Sequence, residues 1–100
     1  MARKIIWSLR AQKDKKEIFK YWSQRNKSNR YSKKLNQLFK ESVKLILEHP
    51  QVGKLTDTPS VWIKIVKEYL LIYEVLETSI SILFIWDGRQ DPSKLEDILK

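Results

Sequence analysis

The stretch 61-VWIKIVKEYLLIYEVLETSISILFIW-86 decides the fold. Its apolar residues recur with a period of two. In Val61–Val66, Ile63 and Ile65 share one face, and Trp62 and Lys64 share the other. Lys67-Glu68 marks a turn, and Tyr69–Glu77 reads as a second strand, apolar through its middle. There the alternation puts Tyr69, Leu71 and Tyr73 on one inward side. After Glu77-Thr78, Ser79–Trp86 reads as a third strand, with Ile80, Ile82, Phe84 and Trp86 alternating against Ser79, Ser81, Leu83 and Ile85. The connections are short, so the three strands must be antiparallel. A parallel return needs a crossover of about a dozen residues or more.

Upstream the period changes to that of helices. Ala11, Ile18 and Trp22, with Phe19 beside them, face one way, while Lys13, Lys15, Lys16 and Lys20 lie between. This predicts an amphipathic helix over 9–25, capped by Ser8. Asn26-Lys27-Ser28-Asn29 breaks it, and Ser28 or Asn29 can cap a second helix. Tyr31, Leu35, Leu38, Ser42, Leu45 and Ile46 carry that helix to about Glu48, because Pro50 cannot continue it. The short break makes the pair an antiparallel hairpin. Lys4–Leu9 reads as a strand, Gln51–Ser60 as a loop, Asp87–Ser93 as a loop and Lys94–Lys100 as a short last helix. The expected fold is α+β in the order β-α-α-β-β-β, with the hairpin packed on one face of a twisted, mostly antiparallel sheet.

The chain has 100 residues, room for one domain over 1–100. With no Cys, disulfide scaffolds and thiolate zinc sites are excluded. With one His, a multi-histidine metal site and a Ser–His–Asp set beyond His49 are excluded too. His49 precedes Pro50 at a helix end and reads as a loop or capping residue. Two glycines, Gly53 and Gly88, cannot build a phosphate-cradling loop. No apolar run approaches the roughly 18 residues of a membrane span, and the N-terminus lacks a signal-peptide core, so a cytoplasmic protein without membrane contact is expected.

The net charge is +8, unevenly placed. Residues 1–54 hold 15 Lys/Arg against 4 Asp/Glu, and residues 55–100 hold 5 against 8. Such a field attracts polyanions: nucleic acid, anionic lipid or an acidic protein. Basic and aromatic chemistry is what the composition leaves available. Lys and Arg clamp phosphates, and Tyr and Trp stack on bases. Trp62, Lys64 and Arg89 can line one concave surface; the alternative reading is that Lys64 and Arg89 are solvated and Trp62 covers the sheet.

In order along the chain, Trp7-Ser8 with Ala11 and Asp14, Tyr21-Trp22, Tyr31–Leu35 (YSKKL), His49–Asp57 (HPQVGKLTD), Tyr69–Val75 (YLLIYEV) and Ile82–Pro92 (ILFIWDGRQDP) resemble the RelE/ParE superfamily of bacterial toxins. The likeness spans Lys4 to about Leu95, and the β-α-α-β-β-β order is also that of the superfamily. The resemblance implies a toxin of a type II toxin–antitoxin system, neutralised by a cognate antitoxin that wraps it and binds operator DNA. It implies no cofactor and no metal.

Two mechanisms divide the superfamily. RelE-like members enter the ribosomal A site and cut mRNA without a metal, the 2′-hydroxyl attacking the adjacent phosphate. ParE-like members bind and block DNA gyrase. Carried over residue by residue, the first RelE-type sheet lysine falls on Trp62 and the second on Lys64. The arginine of the central strand falls on Leu70, the arginine after the last strand on Arg89, and the C-terminal tyrosine near Leu95. Two cations survive, so Lys64 and Arg89 are the catalytic candidates if the mechanism is RelE-like. Losing one transition-state cation costs a few kcal/mol, or about two to three powers of ten in rate, which favours the ParE-like reading. Trp62, Lys64 and Arg89 are then the target- or RNA-binding candidates. Arg10, Lys13, Lys16, Lys20 and Lys33 are the candidates for holding an acidic antitoxin segment. A basic nucleic-acid-binding module, or a non-toxic relative, is the third reading.

Overall fold

The computed structural model describes residues 3–90 and 92–99, with the backbone alone for 92 and 96–98. Eight elements follow one another: β1 (Lys4–Trp7), α1 (Leu9–Asn26), α2 (Arg30–Glu48), β2 (Lys54–Leu55), β3 (Val61–Val66), β4 (Tyr69–Val75), β5 (Ser79–Asp87) and α3 (Pro92–Leu99). The strands form one sheet in the order β1-β5-β4-β3-β2. β1 lies parallel to β5, and the other pairings are antiparallel. The expected α+β hairpin-on-sheet architecture is what the chain adopts.

Four expectations shift in detail. β4 ends at Val75, because Leu76 N–H already turns back to Ser79 O at 2.9 Å. β1 ends at Trp7, because Ser8 leaves the strand to cap α1 and accepts from Ala11 N–H. The 51–60 loop contains the two-residue edge strand β2, paired with Ile63 and Trp62. The last helix starts at Pro92, and Asp91 and Lys100 fall outside the described residues.

The largest correction lies in β5. Ile72 pairs with Phe84 but Tyr73 pairs with Ile82, so Leu83 has no opposite residue. This bulge reverses the alternation beyond it. Ile80, Ile82 and Ile85 face the hairpin, where they join Ala11, Leu35, Phe39, Ile46, Leu71 and Tyr73 in the main core. Phe84 and Trp86 point to the opposite face with Val61 and Ile72, and Leu95 of α3 covers them there. The sheet therefore has helices on both faces. Tyr69, Leu71 and Tyr73 are inward as the alternation required, at 3%, 0% and 0% exposure.

β1 is too short to pair the whole edge of β5, and α1 takes over where it stops. Ser8 Oγ donates to Leu83 O at 2.6 Å, and Ile85 N–H donates to Asp14 Oδ2 at 3.0 Å. Buried backbone groups need such partners, so Asp14 fixes the first turns of α1 against the bulged strand. Arg10 over the Phe84 ring (4.5 Å) and Lys15 over Trp7 (4.3 Å) hold the same corner. At the other end of the hairpin, Ser32 Oγ donates to Phe19 O at 2.7 Å, locking α2 to α1.

Candidate functional site

The RelE-type positions fall on different parts of the fold. Trp62 and Lys64 stand on the hairpin side of β3, opposite Tyr73 and Leu71 of β4. Trp62 is half-buried against the main core and lines an open cavity of about 730 Å³ with Arg3, His49, Val52, Leu55 and Val75. Lys64 Nζ reaches only the neighbouring Ile65 O, at 3.3 Å. Leu70 packs on the other side of the sheet, in the cluster that Leu95 joins from α3. Arg89 sits past the end of β5, in a second cavity of about 370 Å³ near α1. Trp62 and Lys64 thus share a face, but Trp62 and Arg89 line separate cavities. No one cavity holds all three, and β4 runs between the strand of Trp62 and Lys64 and the strand that leads to Arg89.

Around Arg89 a polar and aromatic cluster closes this end of the sheet. Asp87 holds the guanidinium in a fork, Oδ1–Nε 3.0 Å and Oδ2–Nη2 2.8 Å, and also accepts from Arg89 N–H at 2.9 Å. The guanidinium lies 5.7 Å from the Trp22 ring and 6.0 Å from Tyr21. Trp22 Nε1 donates to Tyr69 OH at 2.7 Å, and Tyr31 OH donates to the Glu68 carboxylate at 3.1 Å. The Arg89 fork holds the Asp87 carboxyl below its ordinary range. The hydrogen bonds that the Arg89 guanidinium donates to the Asp87 carboxylate push Arg89 further up. Sequence reading singled out Arg89 but missed Asp87 two residues before it. The signal was available, since an Asp at i−2 of an Arg beyond a strand end can close a local fork.

Burial raises the phenols of Tyr31, Tyr69 and Tyr73 above their ordinary value, with the Glu68 charge adding to the shift at Tyr31. A raised folded-state value means the neutral phenol is favoured by folding. That stability is complete below about pH 10 and is lost as pH rises through the folded values. Urea midpoints should stay level from pH 8 to 9.5 and fall above about pH 10. Ultraviolet titration of the native protein should show three phenols ionising late. A level midpoint through pH 11 would contradict this packing.

The five basic residues considered for an acidic antitoxin segment divide in two. Lys13, Lys16, Lys20 and Lys33 are exposed on the outer side of the hairpin. Arg10, although exposed, is engaged with Phe84 and lies 3.9 Å from Asp14. Among the described residues no group of His, Cys, Asp or Glu is arranged to hold a metal ion, and no helix is long and apolar enough to cross a membrane.

A helix hairpin on one face of a five-stranded sheet, a short helix on the other and a basic outer surface define a small toxin-like α+β domain. Residues 5–92 match the family described as the ParE toxin of the type II toxin–antitoxin system parDE, and the chain belongs to that family. It is a toxin of a type II toxin–antitoxin system. Among solved structures it is similar to the chromosomal ParDE toxin–antitoxin system from P. aeruginosa, at 19% identity and TM-score 0.75, covering 86% of this chain and 96% of that one. It is also similar to a double-arginine mutant of the E. coli toxin RelE in the free state, at 16% identity and TM-score 0.70, covering 99% and 95%. Both likenesses share the fold described above. Among curated proteins no relative matches the chain.

Proposed function

We propose that this toxin arrests growth by binding DNA gyrase, with no chemistry of its own, and that its antitoxin neutralises it and reaches operator DNA. What supports this reading is the dispersal of the RelE-type positions. Leu70 and Leu95 are apolar and packed together on one face of the sheet, while Trp62 and Lys64 stand on the other. Arg89 is bound in its own chain's carboxylate fork. A phosphoryl transition state needs several cations and a proton-handling group within about 3 Å of the reacting atoms. A large protein target, in contrast, can engage Trp62, Lys64 and Arg89 across separate cavities, as interfaces of about 800 Å² per partner do.

Two assays separate the mechanisms. Added to gyrase and relaxed plasmid, the toxin should block supercoiling at near-stoichiometric ratios, and Trp62→Ala or Arg89→Ala should weaken the block by at least about tenfold, as for an anchor residue worth more than 1 kcal/mol. With programmed ribosomes, primer extension should show intact mRNA. New cuts at the A-site codon, lost in Lys64→Ala and Arg89→Ala, would establish the RelE-like mechanism instead.

A further inference from the structure

The whole net charge of the chain resides on the helix hairpin. Residues 9–48 hold 12 Lys/Arg against 4 Asp/Glu, a net of +8, which equals the charge of the full sequence. The cations are ordered. On α1 and just past its end, Lys13, Lys20 and Lys27 recur every seven residues, with Lys16 between. On α2, Arg30, Lys33, Lys40 and Lys44 do much the same. A seven-residue step is close to two full turns, so Lys13 lines up with Lys20 and Lys33 with Lys40, while Lys27 caps α1 in the left-handed region. At 1.5 Å per residue each row is about 21 Å long, and packed helix axes lie about 8–10 Å apart. All of these side chains are exposed. Among the described residues the ion pairs are Arg10–Asp14 and Arg89–Asp87, so no cation of either row is ion-paired, although Glu17 and Glu41 stand among them. Lys13–Lys16, Lys16–Lys20, Arg30–Lys33 and Lys40–Lys44 are like-charge neighbours one turn apart, an arrangement that weakens a helix. The inner faces of the helices do the packing, so folding does not require these rows.

We propose that the outer face of the α1–α2 hairpin binds the phosphate backbone of duplex DNA. The composition of the face selects this occupant. Protein interfaces are depleted in Lys and built around apolar or aromatic anchors. On the two helices the exposed large apolar side chains are Leu9, Leu45 and Leu47, all at the end of the hairpin away from its turn, and, among the cations from Arg10 to Lys44, Tyr21, whose ring is already set edge-on against Trp22 at 5.1 Å. An acidic protein segment would find charge along the rows but no free apolar anchor among them. Single-stranded nucleic acid would find no stacking platform, which such binding uses as much as charge. A duplex asks for neither. It carries one phosphate charge per about 1.7 Å of helix axis, about 3.4 Å per strand, so a row of about 21 Å laid along the axis spans about six base pairs. Gln24 lies within the α1 row and supplies a side-chain amide of the kind that commonly accompanies Lys and Arg at phosphates and sugars, while the Gln37 amide donates to Glu41 at 3.2 Å. The inference stands apart from the gyrase reading, because it concerns a different surface and needs no target protein.

Fluorescence anisotropy of the purified toxin with a labelled duplex of about 20 base pairs and arbitrary sequence tests it. Between about 50 and 200 mM salt, log K should fall linearly with log salt, by about 0.9 for each phosphate contacted. The variant K13Q/K20Q/K33Q/K40Q should reduce that slope by about 3–4 and weaken low-salt binding by at least about tenfold. The variant K4Q/K54Q/K67Q/K94Q changes net charge equally away from the hairpin, and its slope should stay within about one of the parent. Circular dichroism melts confirm that both variants are folded. Absence of salt-dependent duplex binding overturns the proposal, and so does equal loss in the two variants. Tighter binding of polyglutamate or of single-stranded RNA than of the duplex also overturns it, the first result assigning the face to an acidic antitoxin segment and the second to RNA.

Discussion

Phe39→Ala should lower the unfolding free energy by about 3–5 kcal/mol, the range for truncating a buried aromatic core residue. Phe39 is 1% exposed, and its ring lies 6.1 Å from Phe19 of α1 and 6.2 Å, at 66°, from Tyr69 of β4. It joins both helices of the hairpin to the sheet at one point. Alanine there would leave a void between three rigid elements, none of which can close it without breaking its own hydrogen bonds. A domain of this size is stable by about 5–15 kcal/mol, so the loss takes a large share of the total. The midpoint of thermal unfolding should drop by at least about 12 °C, at 4–8 °C per kcal/mol. Lys40→Ala, one residue on and exposed, should stay within about 0.5 kcal/mol of the parent. Urea unfolding followed by circular dichroism measures both. A Phe39→Ala protein as stable as Lys40→Ala would mean that the hairpin does not pack on the sheet through this ring.

The hairpin could be read from the sequence because its signals are local and redundant. Ala11, Ile18, Trp22, Leu35 and Ile46 repeat at helical spacing, and Ser8 and Pro50 punctuate the ends. β3 was equally legible from VWIKIV. What escaped depends on long-range pairing. β2 has two residues, too few to show any period, and exists because Lys54 and Leu55 meet Ile63 and Trp62. The bulge at Leu83 leaves no trace in composition, since SISILFIW reads as one regular strand. Yet it moves Phe84 and Trp86 to the far face and Ile85 to the near one. The same kind of long-range fact governs the candidate site. Basic and aromatic chemistry singled out Lys64 and Arg89 and resemblance added their roles, but only the structure places Trp62 and Arg89 at separate cavities. The charge rows were visible as a basic segment. Their placement on the outer faces of two helices and their freedom from ion pairing required the structure.

Gly53→Ala should cost about 2–6 kcal/mol, through lost space rather than backbone conformation. Among the described residues no glycine has a positive φ, so alanine meets no penalty in the torsions at 53. A Cβ at 53 would lie 2.4 Å from Ile63 O and 2.8 Å from Tyr73 OH, both inside contact distance. Ile63 O belongs to the β3 backbone, which is laddered to β2 on one side and β4 on the other, and cannot retreat. The loop must move instead. Tyr73 OH, deep in the core, accepts from Gly53 N–H at 3.1 Å and donates to Pro50 O at 2.9 Å, so displacing the loop strips it of both partners. Overpacking costs about 1–3 kcal/mol, and an unsatisfied buried hydroxyl about the same. The two contributions can be separated with a double-mutant cycle. In a Tyr73→Phe background the hydroxyl share is already gone, so Gly53→Ala should cost less there, with a coupling of at least about 0.5 kcal/mol. Full additivity would show that the clash with Ile63 O acts alone, and a neutral Gly53→Ala would show that the loop is not seated on Tyr73. The loop also carries Val52 and Leu55 into the larger cavity beside Trp62. A Gly53→Ala protein that remains folded should therefore change the environment of Trp62, read as a shift in its fluorescence against the same substitution in a Trp62→Phe background.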